Sequence, residues 1–212
     1  MSKLKLTKGE LKRQRDSLRQ FERYLPTLQL KKQQLQIKIL EARLRYQEVE
    51  FLLQDKERTI RQWLGVLADP ILKTASVNID FHKWIIPTKI LVESLNIAGT
   101  TVPVFKDVEF EKGEYDLYTT PFWVDRALME LRAFVAIMAE MAVIRKQITI
   151  LEYELRITTQ RVNLFEKIKI PECKNNIRII RIYLGDQMAN AVGIGKVAKK
   201  KLEIKTLELT SV

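Results

Sequence analysis

From Leu11 to Leu67 apolar side chains recur at alternating steps of three and four. Counting positions 11, 14, 18, 21, 25, 28, 32, 35, 39, 42, 46, 49, 53, 56, 60, 63 and 67, fourteen of seventeen are apolar, and Gln14, Lys32 and Lys56 are the exceptions. A repeat of 3.5 residues held over this length predicts one long coiled-coil helix, because supercoiling keeps such a stripe facing a single partner. Thr7 and Glu10 stand at capping-box spacing just before it, which marks a helix start. The remaining faces read as Lys, Arg, Gln and Glu. Pro26 is expected to kink or interrupt this arm, and Asp69-Pro70 to end it.

A second arm is predicted from Thr120-Pro121, with proline at the first helical position. Leu128, Leu131, Val135 and Met138 form a seam that slips by one residue. It resumes as Met141, Ile144, Ile148, Leu151, Leu155, Thr158, Val162 and Phe165. Beyond Pro171, which is expected to bend or interrupt the helix, Ile177, Ile180 and Leu184 continue it, and Gly185, Gly193 and Gly195 then thin it out. Each arm would be on the order of 80–90 Å long at ~1.5 Å per residue. A stripe of that length needs cover, and pairing of the two arms within one chain supplies it.

Between the arms the period changes. Val77, Ile79 and Phe81 alternate with polar residues, a strand pattern. "ILVESLNIAGTTVPVF" holds two β-prone runs around Gly99, which predicts a hairpin with Pro103 at an edge or near the turn. The fold expected is therefore mainly α: a long antiparallel two-helix coiled coil with a small β-hairpin at its hinge end. Its parts are an N-terminal arm, 1–67, a middle region, 68–121, and a C-terminal arm with a basic tail, 122–212.

Charge follows this division. The net charge is +11. Residues 1–67 hold 16 Lys/Arg against 8 Asp/Glu, residues 68–121 hold 5 against 8, and residues 122–212 hold 16 against 10. Two basic arms flank an acidic middle. Such arms suit nucleic acid, anionic lipid or an acidic protein surface, and equally a merely solvated helix face. The single cysteine, Cys173, excludes an internal disulfide and suits a reducing compartment. The N-terminus is polar, without a signal-peptide pattern, and the longest apolar run, 133–144, is broken by Glu140 and too short to cross a bilayer.

Catalytic chemistry finds little footing. The only histidine, His82, stands alone, Cys173 has no partner at zinc spacing, and "GIGK" at 193–196 lacks the phosphate-loop spacing. No catalytic, metal or cofactor residues are predicted. Trp63, Trp84 and Trp123 fall near the junctions of arms and middle, where they would pack the hinge or meet a partner. Two kinds of protein fit at this point: a basic coiled coil that binds RNA or DNA, and an oligomeric adaptor.

Three stretches narrow the choice. "YLPTLQLKKQQLQ" (24–36), "LNIAGTTVPVF" (95–105) and, most specifically, "TQRVNLFEKIKIPE" (159–172) resemble the D subunit of V-type and archaeal-type rotary ATPases, in its bacterial form. The tail "YLGDQMANAVGIGKVAKKK", with its glycines, departs from the charged helix of many relatives. The resemblance implies a non-catalytic central-stalk rotor subunit with no cofactor, peripheral to the membrane on the cytoplasmic side, serving ATP-driven ion transport or ATP synthesis. It implies as partners the catalytic and non-catalytic ring subunits, a small F-like stalk subunit and the socket subunit of the membrane rotor. Nucleotide sites would lie in the ring. On this reading Arg156, Arg161 and Lys167 are expected to face the ring, Trp84, Gly99 and Pro103 to lie at the hinge end or face a partner there, and Pro26 and Pro171 to set the shape.

Overall fold

The structure is a computed structural model that describes residues 4–63, 65, 81–112 and 123–210. Its elements are α1 (Lys8–Trp63), α2 (Phe81–Ile85), β1 (Pro87–Ile97), β2 (Thr100–Phe110), α3 (Trp123–Leu164), a π turn (Phe165–Lys169) and α4 (Ile170–Thr210). The chain divides into two compact units, one of Lys31–Ile157 and one of Met1–Leu30 with Thr158–Val212. Helices α1 and α3 each contribute to both.

In the unit Lys31–Ile157, α1 and α3 run antiparallel. Partners on α1 climb as those on α3 descend: Lys31 to Glu154 at 2.7 Å, Arg45 to Glu140 at 2.8 Å and Lys56 to Glu130 at 3.0 Å. Between them lie Leu35, Ile39, Ala42, Val49 and Ile60 of α1 and Val124, Leu128, Ala139, Ile144 and Leu151 of α3, all buried. The 3.5-residue reading of the first arm holds over the described residues: each of its positions from Leu11 to Trp63 is buried or half-buried, and Leu67 lies outside them. Two of the three polar exceptions find partners across the helix pairs. Lys56 reaches Glu130 across the helix pair, and in the other unit Gln14 accepts from Asn176 at 3.5 Å.

The hairpin belongs to this same unit. Strands β1 and β2 pair from Ile97↔Thr100 to Pro87↔Phe110, with an irregularity beside Leu91/Val92 that leaves Lys106 unmatched. Arg132 of α3 fastens its base, donating from Nε to the Trp84 carbonyl at 3.0 Å and from Nη2 to the Glu111 carbonyl at 2.6 Å. The same guanidinium lies 5.5 Å from the Phe110 ring centroid, a cation–π distance. At the other end Ile97 and Val102 pack with Leu35, Ile39 and Leu151. Arg132 and Leu151 are separated by about 28 Å of helix, a span that strands of this length cover at ~3.3 Å per residue. The hairpin springs from the hinge end and lies back along the helix pair, so its tip adds to the core.

In the unit Met1–Leu30 with Thr158–Val212, α1 pairs antiparallel with the C-terminal helices. Phe21 meets Phe165 with ring centroids 5.0 Å apart, and Lys174 reaches Glu22 at 3.3 Å. Val162, Cys173, Ile177 and Ile180 are buried here, as is Thr158.

Several expectations need correction. Pro26 does not interrupt α1, which runs through it with the proline on an exposed face. Pro171 does not interrupt its helix either. The π turn precedes it, and the Ile170 N–H bonds back to the Phe165 carbonyl. A proline in an α-helix clashes with the carbonyl four residues back; a turn widened by one residue relieves that clash and keeps the helix going. Met138 is exposed and Ala139 is buried in its place, so the seam slips earlier than the sequence suggested. Of the alternating stretch 76–82, residues 76–80 lie outside the described residues, and Phe81 and His82 begin α2 instead of ending a strand. The boundaries expected at Asp69-Pro70 and Thr120-Pro121 also lie outside them.

Candidate interaction surfaces

Among the described residues no group of histidine, cysteine and carboxylate side chains could hold a metal, and no helix is long and apolar enough to cross a membrane.

The predicted ring-facing residues sit on exposed helix faces. Arg156 belongs to the unit Lys31–Ile157, whereas Arg161 and Lys167 belong to the other. Arg156 borders a groove with Gln36, Leu40, Arg43, Glu152 and Leu155. Arg43 there is held by Glu152 at 2.6 Å, which leaves Arg156 without an ion pair among the described residues. The ion pairs explain why. The bridges between α1 and α3 take their bases from α1 and their acids from α3. Glu140 also holds the Arg45 guanidinium still further above its ordinary high pKa, by hydrogen bond and by charge.

The hinge-end residues separate by role. Trp84 is half-buried, and its carbonyl is one of the two that Arg132 grips. Gly99 is at the far tip of the hairpin, with φ at +79°, and Ala98 before it has φ at +50°. Two successive positive φ values make a type I′ turn, the form whose twist matches a hairpin. The Asn96 Oδ1 accepts from the Gly99 N–H at 2.9 Å and closes it. Pro103 is half-buried in β2, opposite Ser94. Only Trp84 of these three stands at the base; Gly99 is carried to the exposed tip, two residues past Ile97, which packs with Leu35 and Leu151.

Two surfaces escaped the sequence reading. One is a cationic groove in which Arg15, Arg19, Lys174 and Arg181 surround Leu18, Ile177 and the single carboxylate of Glu22. Its residues lie far apart in sequence, and only the pairing of α1 with α4 brings them together. The other is on α1, where Ile37, Leu40, Leu44 and Phe51 are all at least half exposed. Its signal was in the sequence, as apolar residues seven apart at 37, 44 and 51, masked by assigning every outer face to polar residues.

Cys173 is buried. Burial first, and the neighbouring Glu172 carboxylate second, raise its thiol pKa, so it remains a protonated packing residue.

The family model for the ATP synthase D subunit matches residues 10–200. A V-type ATP synthase D subunit from Borreliella burgdorferi is 44% identical over 202 residues, covering 95% of this chain and 96% of that protein. The V-type ATP synthase D subunit of Chlamydia abortus is 35% identical over 204 residues, covering 95% of each. That of Chlamydia pneumoniae is 32% identical, covering 95% of this chain and 94% of its own length.

Proposed function

Since the chain belongs to the ATP synthase D-subunit family, a family of rotary-ATPase stalk subunits, we propose that it is the central rotor shaft of a V-type ATPase. It transmits torque between the catalytic ring and the membrane rotor, in ATP-driven ion transport or in ATP synthesis, and performs no catalysis itself. Its partners are the catalytic and non-catalytic ring subunits, a small F-like stalk subunit and the socket subunit of the membrane rotor. Its place is cytoplasmic and peripheral to the membrane.

The observation that supports this reading is the antiparallel pairing of helices within each of the two units. A shaft must resist twisting and bending, and a packed helix pair does so where a single helix cannot. It must also present a different face to each catalytic site, since each orientation has to favour a different conformation there. The arms, 1–67 and 122–212, are the shaft, and the middle, 68–121, is the hinge end. Arg156, Arg161 and Lys167 contact the ring. Trp84, Gly99 and Pro103 serve the hinge region and its partner contacts. Pro26 and Pro171 set the contour.

Co-expression with the ring subunits tests the proposal. The chain is expected to co-purify with the ring, and a bead attached to its hinge end is expected to turn during ATP hydrolysis. A ring that assembles and hydrolyses ATP with this chain bound, yet turns no bead, would exclude a torque-bearing role.

A further inference from the structure

Helices α1 and α4 meet base to base where α1 and α3 meet base to acid. Against α3, Lys31, Arg43, Arg45 and Lys56 of α1 each reach a glutamate. In the unit Met1–Leu30 with Thr158–Val212, Arg15 and Arg19 of α1 border one groove with Lys174 and Arg181 of α4. The groove has a volume of about 570 Å³, and its apolar lining is the half-buried Leu18 and the buried Ile177. Its one carboxylate, Glu22, is engaged by Lys174 at 3.3 Å. The guanidiniums of Arg15, Arg19 and Arg181 make no ion pair or hydrogen bond among the described residues.

Such an arrangement opposes folding unless something answers it. Arg15 and Arg19 stand four apart on one helix, the spacing at which like charges repel. The flanking sequence does not cancel the excess. The lining holds four bases and one acid, an excess of three. Residues 10–22 and 174–186 together hold seven Lys/Arg against four Asp/Glu, again an excess of three. A concave surface of one sign gathers ions of the other. The residue type narrows the anion, because the planar fork of arginine takes the oxygens of phosphate or carboxylate in pairs. Charge density narrows it further. Lys174 and Arg181 are about 10 Å apart along their helix, more than a single phosphate group covers. A carboxylate brings one charge and two oxygens, whereas a phosphate group brings up to two charges and three acceptor oxygens. A short phosphate chain therefore answers the whole excess within that length, and does so without the cost of ordering a polypeptide.

We propose that the groove between α1 and α4 is a non-catalytic site for a short phosphate chain, held by Arg15, Arg19 and Arg181. The site stands on the pairing of α1 with α4 and is independent of the rotor reading.

The test is calorimetric titration of the full chain with sodium tripolyphosphate in the absence of divalent cations. One-to-one binding is expected, with orthophosphate at least tenfold weaker. Arg15→Gln, Arg19→Gln and Arg181→Gln together are expected to weaken tripolyphosphate binding at least tenfold with unchanged far-ultraviolet circular dichroism. Each substitution made singly is expected to weaken it at least threefold, which keeps the test open should the triple variant fail to fold. Arg58→Gln, Lys106→Gln and Lys146→Gln remove as much charge from exposed positions of the other unit, and together are expected to change binding less than twofold. ATP is titrated beside tripolyphosphate: matching affinity adds nucleotide tails as a source of the chain, and weaker affinity leaves the inorganic form, the groove being the same in either case. No binding of tripolyphosphate, or equal losses in the two triple variants, overturns the proposal. A hexaglutamate peptide that binds as tightly as tripolyphosphate also overturns it, by giving the groove to an acidic polypeptide.

Discussion

Residues Ala98 and Gly99 show how much a single turn can demand. Both have positive φ, a region open to glycine and costly for most residues with a Cβ. A Cβ added at Gly99 would meet no atom within 4 Å, so the backbone conformation and not space makes glycine suitable there. Asparagine tolerates this region better than alanine and is common at the first position of such turns. Ala98→Asn is therefore expected to raise stability, and Gly99→Ala to lower it by about 1 kcal/mol, as read from urea denaturation midpoints. A second contrast separates the buried core from the exposed apolar residues of α1. Leu151 is fully buried against the hairpin tip and α1, so Leu151→Ala is expected to cost about 2–5 kcal/mol. Leu44 is half exposed, and Leu44→Ala in the isolated chain is expected to stay within about 0.5 kcal/mol of the parent. Equal losses for both would mean that Leu44 is covered within the chain itself.

At the scale of elements, what was legible in the sequence had a local cause. The first arm could be read residue by residue, because a heptad repeat is written along one helix and needs no knowledge of its partner. The hairpin was legible from Gly99 and its flanking β-prone runs, but its direction was not. That depends on Arg132 gripping Trp84 and Glu111 at one end and on Leu35 and Leu151 receiving the tip at the other. Pro171 was visible as a disturbance, yet its remedy, an extra residue absorbed at Phe165–Lys169, is a property of the whole turn. Past Leu184, α4 stays helical while residues 185–204 are exposed throughout. Where side chains are exposed, helicity leans more on propensity, which is marginal for short isolated helices. Glycine costs about 1 kcal/mol relative to alanine in a helix interior. Replacing Gly185, Gly193 and Gly195 together by alanine is expected to raise the far-ultraviolet helical signal at 37 °C. The urea midpoint of the packed helices should not move. A shifted midpoint with no gain in helix would show that this segment is already fixed by contacts elsewhere.

Across the whole molecule the distribution of charge links structure to the proposed work. The net charge of +11 is not spread evenly among paired and unpaired groups. Glu130, Glu140, Glu152 and Glu154 of α3 are engaged with bases of α1, while Arg156, Arg161 and Lys167, which follow on the C-terminal arm, are exposed. Reversing all three to glutamate would lower the net charge from +11 to +5, since each reversal removes two units. Because these side chains are exposed and make no ion pair among the described residues, the isolated variant should keep its circular dichroism and nearly its melting temperature. If, as proposed, these residues contact the ring, the reversal would weaken their attraction to acidic groups there, and in the reconstituted complex ATP hydrolysis should continue with fewer rotations per nucleotide consumed. The parent complex should lose coupling in the same direction as salt is raised, since exposed charges are screened over about 10 Å at 0.1 M ionic strength, whereas the reversed variant should respond less to salt. Normal folding with unchanged coupling at every salt concentration would assign these three residues to plain solvation and leave recognition of the ring to the shape of the packed helices.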